Sequence, residues 1–405
     1  MDYEMGSAGE GRLNAFFDKF GDHLGPAGRE SFAVYAMGIL GDGERKSVEP
    51  IAARLSASPK ETQREHDRLL YFLRQMPWSD EAVRREAARY AARAMKARRA
   101  ITCSIVDDTG FLKQGKHSVG VQRQYTGSAG KIANCQLGVS LTLANDIDQV
   151  PVDMQLYLPK SWTESTERRE RARIPEDITF KTKPEMALDM IQRAHAEGFP
   201  LGVVLGDSAF GTSKAFRDGL LRLQIPYAVA VRDNVLVHLV ARGGRPSREP
   251  QAIADIAAGL RRSDFQTIRW REGTRRTLFS KFCFFRVAIP HETTAGASEF
   301  VHQWLILEWP DDEAKPKCAL ATLPATMRKN QIIDILKQRW RTERAYQDLK
   351  GELGLDHFEG RSFPGWHHHV SVVLACYAFV VAERIRAFPP SYARARRPLA
   401  LRVAA

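Results

Sequence analysis

Between residues 136 and 144, QLGVSLTLA, apolar and polar positions alternate without a break and put Leu137, Val139, Leu141 and Leu143 on one face. A period of two is that of a half-buried strand. Two shorter stretches before it read the same way: the apolar ITCSIV (101–106) and the alternating SVGVQRQY (118–125). Gly-containing turns link the three, which predicts an antiparallel meander. The polar stretch 145–182 follows with no strand signal, and its ERRERAR run reads as a solvated face. Pro184 then opens a helix over 184–197, with Ala187, Met190, Ile191 and Ala194 on one stripe. LGVVLG (201–206) is apolar throughout, as a strand buried on both faces should be. A helix over 213–223 and the strand IPYAVAV (225–231) complete the series. Three strands, helix, strand, helix, strand is an α/β order, a mixed sheet flanked by helices.

The chain on either side has a different texture. Residues 1–98 read as an N-terminal helical domain. SVEPIAARL is a short helix with Ser47 as N-cap, and Ser58 before Pro59 starts a second. Two helices across a tight turn fit a helix-turn-helix and fit an ordinary helical hairpin equally well. Residues 99–234 form the first part of the α/β core. Residues 235–325 are a β-rich insertion with four strands, in QTIRWRE, RRTLFSKFCFFRVAI, FVHQWLILEW and KCALATL. Residues 326–386 return to helix as the second part of the core, and 387–405 form a basic tail.

Composition narrows the function. Of 405 residues, 60 are Lys or Arg against 48 acids, a net charge of +12 that favours a polyanion, nucleic acid first. The five cysteines lie far apart with no C-x-x-C pair, which predicts a reduced, cytoplasmic protein without a disulfide framework. The longest apolar run near the C-terminus, 370–382, is too short to span a bilayer, so no membrane association is expected.

Carboxylates mark the ends of the apolar strands. Asp107 and Asp108 follow ITCSIV, and Asp207 follows LGVVLG, where it could equally cap a helix. Ligands of open α/β sheets bind beyond the carboxyl ends of parallel strands, which favours a functional Asp207. In RWRTERAYQDLK, helical geometry sets Arg339 about 40° and Lys350 about 20° from Glu343, so one face carries a carboxylate between two cations. Glu352 and Glu359 are rival third acids without that framing. Converging carboxylates suit divalent metal, and two such ions stabilise both the attacking and the leaving oxygen of a displacement at phosphorus. His367, His368 and His369 are consecutive, and on a helix they point too far apart to share one ion. Trp270, Trp304 and Trp309 read more readily as core than as stacking platforms for bases.

DDTG (107–110), LGDSAFG (205–211), the Arg339–Glu343–Lys350 spacing and GELGLDHFEGRSFPGWHHHV (351–370) together resemble a bacterial insertion-sequence transposase of the DDE class, group 701, over essentially the whole chain. Leu336 stands where such enzymes often carry Tyr. The resemblance implies an RNase H-like catalytic core and an enzyme that cuts transposon ends and joins them to target DNA, cut-and-paste. It implies Asp108, the acid directly before Thr, with Asp207 and Glu343 as catalytic and metal-binding residues. Two Mg²⁺ ions, replaceable by Mn²⁺, are expected at that site. Arg339 and Lys350 are expected to hold the DNA strand. Partners would be double-stranded DNA and a second copy of the chain in the DNA complex, and the setting the bacterial nucleoid. A domesticated, non-catalytic DNA-binding descendant of a transposase is the alternative.

Overall fold

The computed structural model describes residues 7–241, 243–272, 277–292 and 298–388. Residues 389–405, nearly all of the expected basic tail, lie outside the described residues. Among the described residues the chain opens with helices α1 (Ser7–Asp18), α2 (Gly21–Leu40), α3 (Val48–Arg54), α4 (Pro59–Arg74) and α5 (Asp80–Arg98). Strands β1 (Cys103–Leu112), β2 (Gln122–Thr126), β3 (Lys131–Ala144) and β4 (Gln149–Tyr157) follow. Next come α6 (Lys160–Thr163), α7 (Thr166–Ala172), α8 (Lys183–Ala196), β5 (Val203–Gly206), α9 (Ser208–Gly211), α10 (Lys214–Arg222) and β6 (Tyr227–Val231). The β-rich part holds β7 (Leu236–Leu239), β8 (Gln251–Ala252), α11 (Ile253–Ala258), β9 (Gln266–Glu272), β10 (Thr277–Glu292), β11 (Ser298–Trp309) and β12 (Lys317–Ala321). The described chain closes with α12 (Lys329–Leu336), α13 (Trp340–Gly351) and α14 (Phe363–Ala387).

These elements sort into two compact units. The first holds 1–101, 108–182 and 342–405; the second holds 102–107 and 183–341. The first unit therefore joins the N-terminal helices to β2, β3, β4, α6, α7, α13 and α14. The second joins the remaining α/β elements to the β-rich stretch. Strand β1 contributes its first half to the second unit and its second half to the first.

In the first unit β2 and β4 both pair antiparallel with β3, and β1 is the other neighbour of β3. The meander expected of 101–106, 118–125 and 136–144 in chain order is not the one formed: β3 lies between β1 on one side and β2 and β4 on the other, so the first and third of those segments are neighbours and the antiparallel run is β2–β3–β4. Strand β4 went unread in the sequence because Pro151 and Asp153 interrupt its apolar alternation. The sheet accommodates Pro151 at a register shift opposite Thr142, and Arg84 pairs with Asp153 at 3.1 Å. Strand β3 buries both faces. Its apolar residues are covered as expected, but Ser140 and Thr142 are fully buried too. Helix α13 covers them, with Tyr346 bonded to Ser140 at 2.6 Å and Thr342 to Thr142 at 3.0 Å. The apolar helix α14 is buried on nearly all sides against α5, α2, α4 and β4. Among the described residues, no helix is long and apolar enough to cross a membrane.

Ser58 caps α4 through the Glu61 amide, with Pro59 at the first helical position, as the sequence predicts. Ser47 stands at the N-cap of α3 but makes no capping bond.

The second unit carries a mixed sheet. Strands β1, β5 and β6 are parallel; β12, β11, β10 and β7 continue it antiparallel, and β9 pairs with β10. Val203, Val204 and Leu205 are at most 1% exposed, which explains the uninterrupted apolar run. Parallel and antiparallel strands in one sheet, with flanking helices, make the fold mixed α/β of the RNase H-like kind. The tryptophans of the β-rich part are half-buried, each beside a cation: Lys337 over Trp270, Arg286 over Trp304 and Arg262 over Trp309.

Candidate active site

In the second unit, the parallel register pairs Val106 with Gly206. Asp107 and Asp207 therefore follow at the same level; Asp207 leaves the carboxyl end of β5, whereas β1 continues through Asp107 and Asp108 to Leu112, so these two acids lie inside their strand and not at its end as the apolar run ITCSIV suggests. The chain turns sharply after Asp207 because Gly211 passes against β6; a Cβ there would lie 2.1 Å from the Ala230 carbonyl oxygen. Asp207 is half-buried, and its Oδ1 accepts from the Ala209 amide at 2.8 Å, capping the single-turn helix α9. The capping reading of Asp207 is thus real, and it engages one of two carboxylate oxygens. Asp107 is buried and pairs with Arg339 Nη1 at 3.2 Å.

Arg339 does not belong to one continuous helix with Glu343. A 3₁₀ turn, Lys337–Arg339, separates α12 from α13. No glycine or proline marks that break. It coincides with the Lys337–Glu308 ion pair at 2.6 Å and the Arg339–Asp107 pair, which draw the two cations to neighbouring strands. The 40° reckoning made for an unbroken helix therefore does not apply to Arg339.

Asp108, in the first unit, is half-buried and points to the opposite face of β1 from Asp107. Glu343 is exposed in the first turn of α13. The inner stripe of that helix, Thr342, Tyr346 and Lys350, ties it to the strands. Lys350 Nζ donates to the Gly110 carbonyl at 2.7 Å and to Ser128 Oγ at 3.1 Å. Burial pushes its pKa below the ordinary lysine value. Ser128 Oγ also accepts the Gly110 amide at 3.2 Å and lies 3.5 Å from Thr109 Oγ1, while the Ser128 amide donates to Thr126 Oγ1 at 3.3 Å. Gly110 is required because a Cβ would sit 1.9 Å from Thr126 Oγ1. The Thr-Gly of DDTG is thus held by the turn between β2 and β3 and by the helix that carries Glu343. By its residues TGSAG (126–130) is a Gly-containing turn and nothing more, and no spacing rule singles out Ser128.

Among the described residues, no three His, Cys, Asp or Glu side chains lie together as a ready cation cage. The candidate donors Asp108, Asp207 and Glu343 are all carboxylates, the hard-oxygen chemistry that Mg²⁺ and Mn²⁺ favour over Zn²⁺. Of the rival acids, Glu359 pairs with Arg45 at 2.7 Å and Glu352 lies exposed just beyond α13. The three consecutive histidines are buried and separately engaged. His367 donates to the Phe363 carbonyl, His368 stacks on Trp78 at 3.9 Å, and His369 accepts from the Tyr35 hydroxyl at 2.8 Å.

Comparison with known proteins gives a consistent picture. The family model described as DDE superfamily endonuclease matches residues 19–277, and the one described as transposase DDE domain matches residues 181–379. A probable transposase for insertion sequence element IS701 from Microchaete diplosiphon is 29% identical over 214 residues, covering 53% of this chain. The match spans about half, 51%, of that relative's own length.

Proposed function

The chain belongs to the DDE superfamily of endonucleases, and on that footing we propose that it is a DNA transposase that cleaves transposon ends and joins them to target DNA by cut-and-paste. The observation that carries this reading is the pair of adjacent parallel strands, β1 and β5, each of which runs from a buried apolar stretch directly into aspartate. A net charge of +12 suits a polyanionic substrate.

In this proposal Asp108, Asp207 and Glu343 hold divalent metal. Two Mg²⁺ ions, or Mn²⁺ in their place, supply charge neutralisation at the scissile phosphate and activation of the attacking oxygen. The chain's own residues do the rest. Arg339 offers phosphate a planar fork, and an ammonium has three donors, so the two bonds made by Lys350 do not exhaust it. In the first reaction water attacks phosphorus, the bond to the 3′ oxygen breaks and a 3′-hydroxyl is released. In the second that hydroxyl attacks a phosphate of the target, and a target 3′ oxygen leaves. Bringing two ends together calls for two copies of the chain on the DNA. The same activity would place the protein in the bacterial cytoplasm at the nucleoid.

The test is incubation of the full chain with Mg²⁺, a supercoiled plasmid and a fragment carrying the sequences that flank its own coding region. Joined fragment–plasmid molecules are the expected product. Cleavage without joining would make it a nuclease, and binding without cleavage would make it a non-catalytic DNA-binding descendant; either result overturns the proposal.

A further inference from the structure

Ser128 lies far from every acid in sequence and in no motif, yet its hydroxyl is the node at which three segments of the first unit meet. It accepts the Gly110 amide at 3.2 Å and the Lys350 ammonium at 3.1 Å, and its oxygen lies 3.5 Å from Thr109 Oγ1, towards which its own hydrogen is left to point. A hydroxyl has one donor and two acceptor sites, so these three contacts use all of them. Lys350 closes the ring through the Gly110 carbonyl at 2.7 Å. Gly110 thus has its amide and its carbonyl held from the same side, and it pays for that closeness by lacking a Cβ, since Thr126 Oγ1 occupies the place.

The two ends of this ring are tied to two candidate metal ligands. Gly110 is two residues beyond Asp108 on β1, about 7 Å along the strand. Lys350 is seven residues beyond Glu343 on α13, about 10 Å along the helix. Strand and helix are rigid over such lengths, so a bond between Gly110, Ser128 and Lys350 sets the separation of the two carboxylates. Thr342 and Tyr346 hold α13 down on β3. The Ser128 ring links α13 to the segment after Asp108, where Lys350 also lies over the Phe111 ring at 5.3 Å.

We propose that Ser128 is a positioning residue that, through Gly110 and Lys350, fixes the Glu343 helix against the Asp108 strand and so sets the metal affinity of the site. The inference rests on the transposase reading above. Groups that orient metal ligands without touching the ion change metal affinity or activity by about 10- to 100-fold when removed. Ser128 is exposed on the turn, so its replacement leaves the core intact.

The experiment compares the full-length wild type, Ser128→Ala and Ser128→Thr. Mn²⁺ binding to the protein–DNA complex is followed by the loss of the free Mn²⁺ paramagnetic resonance signal. Single-turnover cleavage is followed against Mn²⁺ concentration, with DNA affinity in EDTA and thermal unfolding alongside. Ser128→Ala should need about tenfold more Mn²⁺ in both metal titrations, with DNA affinity and unfolding temperature unchanged, and Ser128→Thr should return both titrations to the wild-type range. Unchanged Mn²⁺ binding in Ser128→Ala beside an active wild type overturns the positioning role alone. So does a loss that Ser128→Thr shares, or one matched by a fall in unfolding temperature. A wild type without metal-dependent cleavage overturns the transposase reading and the positioning role with it.

Discussion

Acidification should unfold this protein through the base of helix α14. His367 and His369 are buried there and neutral. His367 donates Nδ1–H to the Phe363 carbonyl at 3.0 Å and accepts the Leu156 amide at Nε2. His369 accepts the Tyr35 hydroxyl and donates Nε2–H to the Gly354 carbonyl at 3.2 Å. Burial depresses both pKa values from 6.5 to about 4; Asp80 opposes the shift at His367, and Lys113 and His357 add to it at His369. The unfolded chain takes up both protons below about pH 6.5, and the folded chain resists until about pH 4. Stability from these groups is therefore complete above pH 6.5 and is lost as the pH falls from there towards 4. By linkage the slope in the middle of that window is about 2.7 kcal/mol per pH unit for two protons, and the loss by pH 5 is about 4 kcal/mol. That is a large part of a typical domain stability of about 5–15 kcal/mol. Urea denaturation between pH 7.5 and 5, monitored by circular dichroism, measures it. The double variant His367→Gln, His369→Gln keeps hydrogen-bonding groups that do not titrate and should flatten the curve. A wild-type stability that stays level from pH 7 to 5, or a fall that the double variant reproduces in full, would refute the assignment.

Three further outcomes follow from named contacts. Gly110→Ala drives a Cβ into the Thr126 side chain and should cost about 1–3 kcal/mol. Thr126→Gly in the same chain should recover most of it, as read by denaturant midpoints. Affinity for end DNA should drop by about 10³ or more between 50 and 200 mM salt if six or more phosphates are neutralised, and a flat profile would contradict a phosphate-dominated interface. Asp107→Asn removes the Arg339 ion pair and should slow cleavage less than Asp108→Asn does; the reverse order would move the metal to Asp107.

Much of the fold was legible because its strands obey simple periods. LGVVLG had to be buried on both faces, and its end at Asp207 followed directly. Among the elements that escaped are the short β7 and β8 and, more tellingly, β4, where Pro151 breaks the alternation and Asp153 is compensated by Arg84, a residue 69 positions away. The break between α12 and α13 escaped because long-range ion pairs, of Lys337 with Glu308 and Arg339 with Asp107, accompany it and no helix-breaking residue does. At the candidate site, the acids announce themselves as charges directly after buried apolar runs, although β1 continues past its two to Leu112. The choice between Asp107 and Asp108 depends on which face of β1 each one takes, and the role of Ser128 depends on a turn folding back beneath Gly110. Lys350 looked like a free cation in the sequence; in the fold it also holds a backbone carbonyl.

The central claim is that Asp108, Asp207 and Glu343 form one metal-dependent phosphoryl-transfer site. Its most direct test is single-turnover cleavage of end DNA in Mg²⁺ and in Mn²⁺ by the wild type and by Asp108→Asn, Asp207→Asn and Glu343→Gln, with DNA affinity measured in parallel. Each substitution removes a charge at nearly constant volume. The account predicts metal-dependent cleavage by the wild type, none by any of the three variants, and DNA affinity retained by all. Cleavage at the wild-type rate by any one of them would contradict it.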